Sequence, residues 1–372
     1  MFFRANPCQP HQLSDPCRSQ KQAPIPAPPT HNPFVFRRDR AKSIVSRIID
    51  PNPFISTIIA PLGGEGGPAQ ISPNATCKHP TRMRLATLTA ALALATITPV
   101  VAANAQQSIT PQTYIGFDAN DYPGDALLPA LRQQFAFTGY WLNNPPGATH
   151  NPWVGKRSVL VSNGFGFLIV FNGRLDTQIL RAKKLGKSPA ALGKQDAGVA
   201  VAAANRENFP TGAIIFLDQE EGGRLLPEQA EYLLSWTETV ASSDYRPGVY
   251  ASGQPVPDED ENGKKIMITT IEDIRARVAA GKLHEIAFWD FQGACPPAPG
   301  CVVDPAKVPA PDLSGTLDLA AWQYALSPRD PPAITKACAA TYNRDLKCYA
   351  PGVPKVEVDL NSSTSPDPSH GR

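Results

Sequence analysis

From Gln106 onward the chain alternates short apolar runs with stretches of helical periodicity. The strand candidates, in order, are TYIGFDAN, AFTGYWL, GFGFLIVF, GAIIFLDQE, RPGVYAS, EIAFWDF, LDLAAWQYAL and KVEVDLN. Between them ALLPALRQQF, DAGVAVAAANRE, PEQAEYLLSWTETVA and TIEDIRARVAAG repeat their apolar positions at helical spacing. Strands separated by helices predict a parallel sheet with crossover helices. Eight strands in the 267 residues from Gln106 to Arg372 predict a single-domain α/β fold, a (β/α)8 TIM-type barrel, whose usual length is about 250 residues. Its core is expected over residues 112–363. The Pro-, Gly- and charge-rich stretches at 255–265 and 296–311 read as surface excursions. The polar tail from Ser362 is expected to fray.

Upstream the pattern changes. Residues 1–82 carry ten Lys and Arg against four Asp and Glu, and 14 of the 40 prolines, with no sustained apolar period. They read as a disordered or mis-assigned N-terminal extension. MRLATLTAALALATITPVVAANA follows, with one Arg, an apolar run and Ala103-Asn104-Ala105. This is the layout of a signal peptide over 83–105, cleaved after Ala105. Export to the periplasm or the exterior of a bacterial cell is the expectation. The run is marginal for a membrane span and no Cys stands directly after it, so no stable membrane anchor is expected after cleavage.

The exported part holds 24 Lys and Arg against 29 Asp and Glu, which leaves no basic stripe for a nucleic acid. It also holds Cys295, Cys301, Cys338 and Cys348. Four thiols allow three disulfide pairings in an oxidising compartment. The sequence-local one, Cys295 with Cys301 and Cys338 with Cys348, would staple two loops.

Chemistry concentrates where AIIFLDQEEGG delivers carboxylates to a glycine turn. Residues two apart on a strand share a face, so Asp218 and Glu220 converge while Glu221 faces the other way, towards solvent or the helix layer. In a parallel barrel such a strand end opens onto the active-site mouth. Two carboxylates in close range disfavour double ionisation, so one keeps its proton while the other stays charged. Glycosidic hydrolysis needs this division. Asp118, in GFDAND, and Asp359, in VEVDLN, end the first and last strand candidates and would meet the pair across the mouth. Trp141, Trp289, Trp322 and Tyr324 lie near strand ends and could stack on sugar rings, although barrels also bury such residues as core. Asp290, in FWDFQG, is a further candidate. No phosphate loop, dinucleotide turn or nucleophile elbow is present.

GFDAND, the Ala-rich DAGVAVAAAN helix, IIFLDQE, YRPGVYASG, AAWQYA and VEVDLN, in this order, resemble the glycoside-hydrolase-like domain of bacterial exported proteins, formerly domain of unknown function family 1906. That family is distantly similar to the family-25 lysozymes, muramidases that cut peptidoglycan. The resemblance spans residues 114–361. It implies Glu220 as general acid and Asp218 as the group that orients the substrate acetamido in a neighbouring-group route. It further implies Asp118 and Asp359 as an acidic floor, and Trp322, Gln323 and Tyr324 as cleft lining. The lysozymes follow their first Asp with a Ser, whereas this chain reads Asp118-Ala119-Asn120-Asp121. The implied partner is cell-wall polysaccharide, with no cofactor and no metal. A catalytically inactive glycan-binding module of the cell envelope is the alternative.

Overall fold

The computed structural model describes residues 112–329, 338–353 and 355–372. The extension, the signal peptide and its cleavage point lie outside the described residues.

The expected runs form the strands of a closed barrel. They are β1 (Tyr114–Asp118), β2 (Phe137–Trp141), β3 (Gly166–Asn172), β4 (Ile214–Asp218), β5 (Arg246–Ser252), β8 (Ala287–Phe291), β9 (Leu319–Ala325) and β10 (Asp359–Ser363). Their order around the barrel is β1-β10-β9-β8-β5-β4-β3-β2. The remaining pair, β6 (Val256–Glu259) and β7 (Lys265–Ile268), is an antiparallel hairpin in the β5 to α6 connection. It occupies one of the two expected excursions.

The helices are α1 (Leu128–Arg132), α2 (Arg157–Ser162), α3 (Asp176–Lys184), α4 (Pro189–Arg206), α5 (Pro227–Ala241) and α6 (Thr270–Gly281). Local chemistry fixes their starts. Thr269 and Glu272 form a reciprocal capping box at α6. Ser188 caps α4 and Pro189 occupies its first turn. The helices α2 and α3 are short elements that the periodicity did not resolve.

The last strand departs from the parallel expectation. β10 runs antiparallel to both β1 and β9. A parallel strand requires a crossover back to the starting end of the barrel, usually a helix. Between β9 and β10 the described residues hold a 3-10 turn, Ala339–Thr341, and an isolated bridge between Tyr349 and Glu357, but no helix of the crossover kind. The antiparallel direction means that β9 ends and β10 begins at the same end of the barrel, the mouth.

Two disulfides staple this excursion to the one after β8, and they correct the local pairing. The bonds are Cys295–Cys338 and Cys301–Cys348. Local spacing favours neighbours within a loop, but the two loops fold beside one another, so each bond crosses between them.

The tail is the other correction. Ser362, Ser363 and Ser369 are fully buried. Ser369 donates its N–H to Phe167 and accepts from Ile214, while its hydroxyl accepts from the Ile169 N–H. Asp367 accepts from the N–H groups of Phe167, Gly371 and Arg372. The tail thus supplies backbone partners where β4 begins later than β3, at the end of the barrel opposite the mouth. Its polar residues read as fraying because their partners are main-chain groups far away in sequence.

Candidate active site

Alternation along each strand decides which side chains enter the barrel. Asp118 closes β1 and Asp359 opens β10, and the two are register partners. Because β10 runs antiparallel, its first residue lies at the rim where the parallel strands end. Gly139 lies beside Asp118 on β2, where an added Cβ would come within 2.6 Å of the Asp118 Cβ. Only a glycine leaves room for that carboxylate. Asp218 closes β4, and its carboxyl group shares a hydrogen bond with Glu220.

The four acids influence one another. Burial raises the proton affinity of Asp218 well above the usual carboxylate range, with further pushes from Glu220 and Asp118. Burial, then Asp118, does the same for Asp359, against the Ser327 N–H that it accepts at 2.5 Å. Glu220 is pushed up to about 7 by burial and Glu221. Asp118 is raised by burial but opposed by hydrogen bonds from Asn361 and Gln323. No Lys or Arg is among the main influences on these groups, so protons rather than cations relieve their repulsion. Tyr250 feels all four acids as well as burial, and its phenol stays protonated.

Access is uneven. Asp118 is 6% exposed and Asp218 5%, while Glu220 and Asp359 retain more open surface.

The residues of Trp-Gln-Tyr divide by parity. Gln323 faces inward and donates to Asp118 Oδ1 at 2.9 Å. Trp322 and Tyr324 face the outer layer, are fully buried, and donate to the Gln292 and Val302 carbonyls. They are core residues, not cleft lining, because neighbours on a strand cannot share a face. Asp290 is register partner to Trp322 and shares its outward face, fully buried. Burial pushes it up to about 6 against the Ser314 and Thr316 hydroxyls, and it takes no part in the cluster. Trp141 is at the mouth end of β2, with its indole donating to the Ala119 carbonyl at 3.1 Å.

Glu221 faces the helix layer but is not a solvated charge. It accepts the Asp176 N–H at 2.7 Å and the Gln219 amide at 3.2 Å, and burial pushes it up to about 7.

Asn361 and Tyr250 escaped the sequence reading. Asn361 donates to Asp118 Oδ1 at 2.6 Å and accepts the Trp289 indole N–H at 2.8 Å. Tyr250 donates to Gln323 Oε1 at 2.7 Å. The two-residue spacing that joins Asp218 to Glu220 also joins Asp359 to Asn361, and was the available signal. Among the described residues no group of three or more His, Cys, Asp or Glu is placed to hold a metal ion.

Residues 142–294 match the Rv2525c-like, glycoside hydrolase-like domain family. That span contains Asp218 and Glu220. Among solved structures, an uncharacterized B. stearothermophilus protein is 19% identical with TM-score 0.40, over 67% of this chain and 94% of that one. The Mycobacterium tuberculosis Tat-secreted protein Rv2525c is 17% identical with TM-score 0.38, over 69% of this chain and 97% of that one. The modular autolysin LytC from Streptococcus pneumoniae is 10% identical with TM-score 0.38, over 67% of this chain and 46% of that one. Comparison with curated proteins gives no match.

Proposed function

We propose that this chain, which carries a match to a glycoside hydrolase-like domain, is an exported enzyme that hydrolyses glycosidic bonds in cell-wall glycan, with peptidoglycan as the substrate class. The carrying observation is the hydrogen-bonded Asp218–Glu220 pair at the barrel mouth, with Glu220 pushed up to about 7. A carboxyl group that keeps its proton near neutral pH can donate it to a leaving oxygen.

In this reading Glu220 protonates the glycosidic oxygen as the bond to C1 breaks. The carbonyl oxygen of the substrate's own acetamido group closes on C1, and Asp218, through its unprotonated oxygen, accepts from the acetamido N–H. Water, deprotonated by Glu220, then attacks C1, reopens the ring and regenerates the acid. Asp118 and Asp359 form the acidic floor, and Trp141 borders the entrance. Export over residues 83–105 is part of the proposal. Two disulfides between the loops after β8 and β9 support it, since such bonds persist in oxidising compartments. Among the described residues no helix is long and apolar enough to cross a membrane.

The second reading, a glycan-binding module without turnover, draws on the low exposure of Asp118 and Asp218. Incubation of the protein with purified peptidoglycan separates the two. New reducing ends support the enzyme, whereas co-sedimentation with the wall without new reducing ends supports the module.

A further inference from the structure

Asp118 differs from the other three acids in what touches it. Its Oδ1 accepts from both Gln323 Nε2, at 2.9 Å, and Asn361 Nδ2, at 2.6 Å. A side-chain amide can present either its oxygen or its NH2 to a neighbour, and here two aromatic residues settle the choice. The Trp289 indole has only a donor, and gives it to Asn361 Oδ1 at 2.8 Å. The Tyr250 hydroxyl, held protonated by burial and the surrounding acids, gives its hydrogen to Gln323 Oε1 at 2.7 Å. Each aromatic residue turns one amide so that its NH2 faces Asp118.

The remaining acids have no such cradle. Asp218 and Glu220 share a hydrogen bond with each other, and Asp359 accepts the Ser327 N–H. Four carboxylates this close cannot all ionise, so the one given two oriented donors ionises first.

We propose that Tyr250 and Trp289, acting through Gln323 and Asn361, make Asp118 the resident anion of the cluster and leave its protons on Asp218, Glu220 and Asp359. The groups facing Asp118 are Asp359 from β10, Asp218 from β4, Glu220 beyond it and Tyr250 from β5. Within the reading as a glycoside hydrolase, on which this inference rests for its catalytic meaning, Asp118 is the fixed negative charge beneath the developing cation. Tyr250 and Trp289 are positioning residues.

The test needs no turnover. Carboxyl carbon resonances of 13C-labelled aspartate and glutamate, assigned with Asp118→Asn, are followed by NMR through a pH titration. They are compared for the wild type, Tyr250→Phe and Asn361→Leu. In the wild type Asp118 should ionise at lower pH than Asp218, Glu220 and Asp359. In Tyr250→Phe, which removes one hydroxyl, its proton affinity should rise about tenfold, one pKa unit, and in Asn361→Leu by at least as much. If a variant fails to fold, the order of ionisation in the wild type decides alone. An Asp118 that ionises together with or after the others, or that does not move in either folded variant, overturns the inference. Release of reducing ends is measured separately, so loss of the hydrolase reading would leave the titration result standing.

Discussion

Asp118 and Asp359 stand opposite one another across the β1–β10 pair, joined as register partners although 241 positions separate them in the chain. Their meeting requires the last strand to run against the others. In that direction the start of β10, not its end, lies at the mouth, and the acid that opens it joins the acid that closes β1. Parallel entry would have sent Asp359 to the opposite end.

The pH dependence of stability follows from Glu220. In the folded protein its carboxyl group is raised from the ordinary 4.5 to about 7. The unfolded chain therefore ionises first as pH rises, and between these values it binds fewer protons than the native state. Stability contributed by this group is full below about pH 4.5 and declines until pH passes about 7. Asp218 and Asp359, also raised, add in the same direction. Thermal unfolding should show Tm falling across this window. Glu220→Gln should flatten the fall and raise Tm at neutral pH, by about 2–4 °C for each kcal/mol recovered.

Activity should follow the same proton. On the proposed mechanism cleavage requires Glu220 protonated, so the rate should decline as pH rises above about 7. An initial-rate profile of reducing-end release from peptidoglycan checks it. A rate still rising well above that pH would assign the acid step to another group.

Trp322 and Gln323 are adjacent but should behave differently. Trp322→Ala removes a fully buried ring and should cost about 3–5 kcal/mol of stability. Gln323→Leu leaves the fold closer to intact but deprives Asp118 of a donor. It should impair ligand binding or turnover more than stability. Denaturant unfolding and wall co-sedimentation, measured on both variants, separate the effects.

Non-reducing peptide mapping should recover Cys295 linked to Cys338 and Cys301 linked to Cys348. The bonds close separations of 43 and 47 residues, for which chain-entropy arguments give about 4 kcal/mol each. Reduction should therefore lower Tm substantially. Recovery of Cys295 linked to Cys301 would restore the local pairing.

The tail offers a further check. Asp367→Ala removes the acceptor for three backbone N–H groups and should cost about 1–3 kcal/mol. Its measure is urea unfolding.

Much of this architecture was legible in the residues. Seven of the eight apolar runs hold a strand in full or nearly so, since a short β-rich run bounded by turn residues has little else to become inside an α/β domain, whereas β10 starts only at Asp359 and runs on into Ser363. PEQAEYLLSWTETVA and TIEDIRARVAAG coincide with α5 and α6, where Pro227 and the Thr269 capping box mark the starts. Period-two geometry anticipates the Asp218 and Glu220 pairing, although β4 ends at Asp218 and Glu220 lies just beyond it. The same rule divides Trp322, Gln323 and Tyr324 between two faces, so the three could not all line the cleft as the resemblance implied. The direction of β10, the crossed disulfides and the docked tail depend on which distant segments meet. Local pattern carries no record of that. Asn361 and Tyr250 look ordinary in sequence, and their importance lies in the neighbours they touch.

The central claim is that the Asp218–Glu220 pair performs glycosidic cleavage. Its most direct measurement compares wild type with Glu220→Gln on purified peptidoglycan, scoring both new reducing ends and co-sedimentation with the wall. The account predicts cleavage by the wild type, loss of cleavage by at least about a hundredfold in the variant, and undiminished wall binding by both. Equal cleavage by the two proteins, or wall binding without cleavage by either, would contradict it.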